Sequence, residues 1–170
     1  MTQTSSLSGD DLKTHQPLRW LLLSVVLIVI DQATKFWAVK DLSGGVTIDI
    51  LPIFDFSLVY NTGAAFGFLN DAGGWQKIFF ATIAIIVSLF LIWSIKTAKP
   101  SERQLIVAYA CIIGGAIGNL IDRIRIEKVV DFIHVFYQNW HFPHFNIADI
   151  AIFIGACFLI LDAFNLRLIK

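Results

Sequence analysis

The third apolar stretch of the chain, residues 105–123, reads LIVAYACIIGGAIGNLIDR and decides the class of fold. It carries no charge before its last two residues, Asp122 and Arg123. An uncharged apolar run of this length is a candidate for a helix that crosses the ~30 Å hydrocarbon core of a bilayer. Its glycines, among them Gly114 and Gly118, would let helix backbones approach closely in lipid. The stretch therefore predicts a closely packed transmembrane helix with a polar end.

Three further stretches have the same apolar character, at about 20–39, 78–95 and 147–164. The first of them could be a signal-peptide core, because its apolar run is short and follows basic residues. No Ala-x-Ala-like cleavage site follows it, however, and the helical pattern continues through DQATK at 31–35. With the span at 105–121, the sequence predicts four transmembrane helices.

The composition supports a membrane protein over the other broad classes. Hydrophobic residues make up 56% of the chain and charged residues 15%, whereas soluble domains carry about 25% charged residues. The mean hydropathy is +0.71, which is too apolar for a soluble interior of this size or for a disordered chain. The zero net charge gives no sign of a nucleic-acid binder. Cys111 and Cys157 lie in apolar runs, which predicts buried thiols outside any disulfide or metal site.

The connections between the spans predict an orientation. Residues 1–17 are polar and read as a tail on the same side as the C-terminus. That side carries seven of the thirteen Lys and Arg residues and the other side carries six, so the total count barely favours either orientation. The short connection at 96–103 is the clearer marker, since three bases lie in it. We therefore expect both termini to be cytoplasmic.

The long outer connection at 40–77 has the pattern of strands. Val46–Ile50 and Phe54–Leu58 alternate between apolar and polar residues, and a turn signal follows at 61–63. The sequence thus predicts a membrane all-α bundle of four transmembrane helices with a small antiparallel β-sheet, at about 44–70, on its outer side.

Polar residues gather at the outer ends of the predicted spans, where ionisable groups are costly and suggest function. They are Asp31, Lys35, Asn61, Asn119, Asp122, Arg123, Asp131, Asn146 and Asp149.

Four of these residues have structural explanations within their own helices. Asp31 and Lys35 are four apart, which favours an ion pair on one helical face. Asn146 precedes the fourth span and would cap it, and Asp149 would be favoured by the helix dipole in the first turn.

The remaining acids also have simple alternatives. Asp131 could be an interfacial carboxylate that faces water, and Asp122 could form a terminal salt bridge with Arg123. Two aspartates placed close together would share one proton, so that one activates water while the other polarises a carbonyl. Such a pair hydrolyses peptides without a metal.

The histidines give little support to a metal site. His141 and His144 are three apart, but Pro143 between them would spoil a shared helical face, and no zinc-protease motif accompanies them or His134. The phosphate-binding loop and the serine-nucleophile motif are also absent. The sequence therefore predicts no metal and no cofactor.

Five blocks of sequence together resemble the lipoprotein signal peptidase family, also called signal peptidase II, which comprises bacterial membrane aspartic proteases. The blocks are DQATK at 31–35, YNTGAAF at 60–66, GGAIGNLIDR at 114–123, VVDF at 129–132 and FNIAD at 145–149. The resemblance covers about residues 18–166, which would form one four-span peptidase domain.

The resemblance implies an inner-membrane enzyme that cuts prolipoproteins before a diacylglyceryl-modified cysteine, with its active site toward the outer face. It places Asp131 and Asp149 on the family's catalytic pair. It places Asn61, Asn119, Arg123 and Asn146 on polar substrate-binding positions, and Asp31, Lys35 and Asp122 in supporting roles. Its expected partners are the lipidated substrate and membrane lipids, and we expect a monomer that binds no nucleic acid.

Two other classes of function compete with a peptidase. Intramembrane carboxylates also carry protons in transporters, but these acids cluster at one level and no inverted repeat is evident. A structural subunit would explain the glycines but not the clustered acids and asparagines.

Overall fold

The structure, a computed structural model, describes residues 17–63, 75–99 and 101–169. Its helices are α1, Leu21–Asp41, preceded by a 3₁₀ turn at Pro17–Trp20; α2, Trp75–Thr97; α3, Arg103–Ile126; and α4, Ile147–Ala163. Its strands are β1, Thr47–Leu51; β2, Phe54–Asn61; β3, Val129–Tyr137; and β4, Trp140–His141. Two parts of the predictions lie outside the described residues: the tail up to residue 16, and the part of the expected sheet at 64–70.

Three of the described helical stretches are long and apolar enough to cross a membrane. They are Pro17–Asp41, Trp75–Thr97 and Arg103–Ile126, and they contain the first three predicted spans. α4 is not among them because it has only 17 residues, the lower limit for a crossing helix. The fold is thus mostly helical, with three candidate membrane helices and a small antiparallel sheet.

The central helix of the bundle is α3, which packs against α1, α2 and α4. Glycines set its distance from α4. A Cβ on Gly115 would stand 2.2 Å from the carbonyl oxygen of Ala148, and one on Gly155 would stand 2.7 Å from that of Ala108. No larger residue fits at either contact without moving a helix, so the close approach that the small residues predict is present.

The sheet is antiparallel with the strand order β1-β2-β3-β4. The β1–β2 hairpin lies where the alternating pattern predicts it. β3 was not predicted. Residues 133–144, for which the sequence analysis predicts no structure, supply most of β3 and all of β4. The third strand matters for the site because its pairing sets Asp131 opposite Val59 on β2.

An apolar cluster fixes the sheet on the end of α1. Ala38 and Leu42 are fully buried there against Phe132 of β3. The rings of Trp37 on α1 and Phe56 on β2 meet edge-to-face with their centroids 5.4 Å apart. We call this end of the helix bundle the sheet end; the polar residues singled out above are all placed there.

Candidate active site

Asp131 lies on β3 and is almost completely buried, with 2% of its surface exposed. Each of its carboxylate oxygens accepts a hydrogen bond from an asparagine. The amide Nδ2 of Asn61 at the end of β2 donates to Oδ2 at 3.1 Å, and Nδ2 of Asn146 donates to Oδ1 at 2.6 Å. The carboxyl group is therefore held in one orientation from two sides.

Asp149 is both a helix cap and a member of the same polar cluster. It forms a capping box with Asn146: the Asp149 amide donates to the Asn146 side chain at 3.0 Å, and the Asn146 amide donates to Asp149 Oδ2 at 3.3 Å. Its other oxygen, Oδ1, accepts a hydrogen bond from Nδ2 of Asn119 at 2.8 Å. The predicted cap is thus present, and it leaves Asp149 facing the cluster.

The two carboxylates influence each other electrostatically. Burial, followed by the negative charge of Asp149, raises the pKa of Asp131 to about 7, and the hydrogen bonds from Asn61 and Asn146 act in the opposite direction. Asp131 therefore readily holds a proton near neutral pH. A protonated carboxyl group beside a second carboxylate can serve as an acid while the other serves as a base.

Behind this pair, Lys35 joins three polar groups. Its Nζ lies 2.9 Å from Asp31 and 2.8 Å from Asp122, and it donates to Oδ1 of Asn119 at 2.9 Å. The predicted ion pair with Asp31 is present. The expected salt bridge between Asp122 and Arg123 is wrong, because Asp122 faces the helix bundle and pairs with Lys35.

Arg123 points instead toward the end of β2. Its Nη2 donates to the carbonyl oxygen of Gly63 at 3.1 Å, and its guanidinium lies 5.2 Å from the ring centroid of Phe80 on α2. It thereby links α3 to the turn after β2 and to α2.

A cavity of about 750 Å³ opens from the two aspartates into the helix bundle. Its polar end holds Asp131, Asp149, Asn61, Asn119 and Arg123, whereas Asn146 is fully buried behind them. The rest is apolar and lies between α2 and α4 over α3. Residues that line this apolar groove include Phe80, Ile83, Val87, Ala116, Phe153 and Ala156.

The geometry thus joins a carboxylate pair to an apolar groove, and comparison with known proteins identifies the class of molecule. Residues 23–165 match the family described as signal peptidase (SPase) II. The chain belongs to the signal peptidase II family. Among its relatives, the lipoprotein signal peptidase of Pseudoalteromonas translucida is 50% identical over 87% of this chain and 89% of its own length. That of Acinetobacter baumannii is 53% identical over 88% of this chain and 85% of its own.

The fold comparison agrees. A solved bacterial membrane enzyme superposes with a TM-score of 0.77 at 29% identity, covering 89% of this chain and 93% of its own. A second structure of a bacterial membrane enzyme gives a TM-score of 0.74 at 30% identity, covering 85% and 92% of the two chains. As a signal peptidase II, the chain is a protease and a bacterial integral membrane protein. This membership decides against the transport and structural alternatives.

A cluster of stacked histidines beside the cavity is a feature that the sequence did not predict. The ring of His134 lies between those of His141 and His144, with centroids 5.1 Å and 4.3 Å away. His134 Nδ1 lies 3.0 Å from Asp55, and His144 Nε2 lies 2.9 Å from the hydroxyl of Ser57. Within the described residues, no group of three or more such side chains is arranged to hold a metal. The cluster joins β2, β3 and the segment before α4, and His144 also lines the cavity.

Proposed function

We propose that this signal peptidase II is an aspartic endopeptidase in which Asp131 and Asp149 form the catalytic pair. The observation that carries the proposal is that both carboxylates line the polar end of one cavity, with the pKa of Asp131 raised to about 7. In this mechanism Asp149 takes a proton from water as the water attacks the scissile carbonyl. Asp131 donates its proton to the developing oxyanion, and the pair then transfers a proton to the leaving amine.

The substrate proposed for this site is a prolipoprotein, as the names of the relatives indicate, cut before a diacylglyceryl-modified cysteine. The apolar groove between α2 and α4 supports this, because a signal helix and acyl chains need an apolar surface continuous with the bilayer. Within the described residues β1 pairs with β2 only as far as Ser57, and the part of β2 beyond Ser57 leads to Asn61, whose amide contacts Asp131. An unwound substrate backbone would add to the sheet along this part of β2.

The asparagines have a positioning role in this proposal. The side-chain amide of Asn119 donates a hydrogen bond to Asp149. The side-chain amides of Asn146 and of Asn61, on β2, donate hydrogen bonds to Asp131. Arg123 is the substrate-binding candidate that remains, since its guanidinium lines the cavity beside the pair. Lys35, Asp31 and Asp122 support the site from behind.

We further propose that residues 18–166 form one peptidase domain in the bacterial inner membrane, with both termini cytoplasmic and the sheet end outward. α4 is the fourth span in this arrangement. Its mostly apolar sequence and its packing on α3 support that placement, and its capped start puts Asp149 close to the interface, where water is available.

The deciding experiment is turnover of a diacylglyceryl-cysteine signal-peptide substrate by purified Asp131→Asn and Asp149→Asn proteins. Each should lose at least ~10² in turnover, because Asn neither accepts nor releases the proton. The double variant should be little worse than either single one, since the two residues act together. Asp49→Asn, on the exposed strand β1, is the matched control. Near-normal turnover by either single variant would overturn the pair, and loss of activity with a chelator would point to a metal.

A further inference from the structure

A second cavity, of about 340 Å³, lies on the opposite side of β3 from the catalytic one. Val130 lines it, whereas its neighbours Val129 and Asp131 line the catalytic cavity. It opens between the sheet ends of α1 and α3, beside Phe36 and Ile126. The proposed peptidase chemistry makes no use of this space.

The lining of this cavity carries an excess of positive charge. Lys35, Arg125 and Lys128 line it, against one carboxylate, that of Asp122. Asp122 is buried and already pairs with Lys35 at 2.8 Å. Arg125 and Lys128 are left as exposed cations. Acidic Glu127 between them pairs with Lys77 of α2, at 2.5 Å.

The two cations have donors to spare. In the part of the chain that the structure describes, Arg125 has one hydrogen bond, from Nη1 to Oε1 of Gln32 at the long distance of 3.4 Å. The ammonium of Lys128 lies 5.7 Å from the ring centroid of Tyr60, a cation–π contact that leaves its N–H groups available. Arg125 and Lys128 line the same cavity, so one phosphate group could bind both side chains at its rim.

An apolar strip leads away from the cavity along α1. Phe36 at its edge is 72% exposed, and Val29 and Val25, on the same helical face, are 61% and 51% exposed. In a membrane this strip faces lipid, so the cavity combines a cationic rim with a surface for acyl chains. We propose that it binds the headgroup of an anionic phospholipid, with the phosphate between Arg125 and Lys128 and the chains along α1.

The test measures binding of phosphatidylglycerol to the full chain in nanodiscs of phosphatidylcholine with a rising fraction of phosphatidylglycerol. Lipid that stays bound is counted by native mass spectrometry. Each of Arg125→Gln and Lys128→Gln should weaken binding about fivefold and the double variant about 30-fold, because a basic residue near an anionic surface contributes about 1 kcal/mol. Arg125→Lys should stay close to the wild type.

The matched control is Lys40→Gln, which removes an exposed cation from the same end of α1 but outside the cavity lining. It should bind as the wild type does; an equal loss would reduce the effect to general surface charge and overturn the site. In pure phosphatidylcholine all variants should have the same thermal midpoint of unfolding as the wild type. This measurement separates an effect on binding from an effect on folding. If inorganic phosphate or glycerol phosphate, at matched ionic strength, bound as tightly as phosphatidylglycerol does, that result would overturn the lipid as the ligand.

Discussion

At the scale of single residues, Lys35 links α1 to α3 through buried polar contacts. Its ammonium is buried and pairs with both Asp31 and Asp122, which lie on two different helices, and it also donates a hydrogen bond to the side-chain oxygen of Asn119. The amide of Asn119 in turn orients Asp149. The spacing of Asp31 and Lys35 was enough to predict one of these contacts. The others depend on how α1 and α3 pack, which local spacing does not contain.

Replacing Lys35 should therefore affect stability first. Lys35→Ala would leave two buried carboxylates without their counter-ion, a loss of about 3–5 kcal/mol. We expect a lower thermal midpoint and a lower membrane yield, with a smaller change in turnover per folded molecule. Lys77→Ala, which breaks the exposed pair with Glu127, is the control and should change little. A variant of normal stability without activity would instead assign Lys35 to the chemistry.

Asp131 should make stability depend on pH in a predictable direction. Its pKa of about 7 in the folded state lies above the ordinary value of 3.8, so folding favours its protonated form. The stabilisation of the folded state by this protonated carboxyl group is complete below pH ~4 and is lost as the pH rises through ~7. Asp131→Asn removes this dependence, so the stability of the variant relative to the wild type should increase over that interval.

Thermal unfolding at pH 4.5, 6 and 8 measures this difference, with exposed Asp49→Asn as the control. A constant difference between Asp131→Asn and the wild type at all three values would mean that Asp131 stays ionised in the folded protein. Any loss of activity in Asp131→Asn would then have a cause other than the loss of a proton donor.

At the scale of elements, the contact between α3 and α4 leaves no room for a larger side chain in place of Gly115. A methyl group on Gly115 would collide with the backbone of Ala148, one residue before Asp149. At Gly114, the nearest contacts are the side chain of Leu27, at 3.0 Å, and the Ser24 carbonyl oxygen, at 3.2 Å.

Gly115→Ala should therefore displace the start of α4 and separate the two aspartates. We expect it to lose most of its turnover and several degrees of thermal midpoint, whereas Gly114→Ala should be milder on both. Turnover and melting of the two purified variants test this expectation. Equal effects at the two positions would show that the backbone contact at Gly115 is not what sets the helix spacing.

Elements differed in how far their sequences predicted them. The helices and the β1–β2 hairpin follow from hydrophobic runs and from strict alternation. β3 escaped prediction because its first five residues, Val129–Ile133, are all buried, so no alternation marks it. The signal that could have found it is its content of β-branched and aromatic residues. The turns at its ends gave no such signal, because Glu127 and Gln138, which have positive φ angles of 61° and 54°, are not turn-favouring residue types. Without β3, the partnership of Asp55 with His134 could not be anticipated.

At the scale of the whole molecule, the cavity that contains the two aspartates has a polar end and an apolar groove. Its apolar groove lies between α2 and α4, while the end of β2, the start of β3 and the segment before α4 line the side nearest the sheet. A lipidated substrate would enter sideways from the bilayer, without passing through water.

Filling the groove should then reduce access and leave the carboxylates intact. Ala116→Leu adds bulk on α3 within the cavity lining, so we expect a higher KM for the lipidated substrate with little change in kcat. Ala33→Leu, on the exposed side of α1, is the control. Steady-state kinetics of both variants make the comparison. A fall in kcat without a change in KM would mean that the groove does not hold the substrate.

The capping box of α4 also has a consequence for the biosynthesis of the protein. Asn146 holds Asp131 with its amide and starts α4 with its oxygen, and Asp149 completes that start. The pair therefore forms only when the last helix has been synthesised, inserted and docked on α3. A nascent chain that is still leaving the ribosome contains Asp131 but no partner for it. On the proposed mechanism, the protease would be inert until its own insertion is finished, and unassembled copies would pose no hazard to the surrounding membrane proteins.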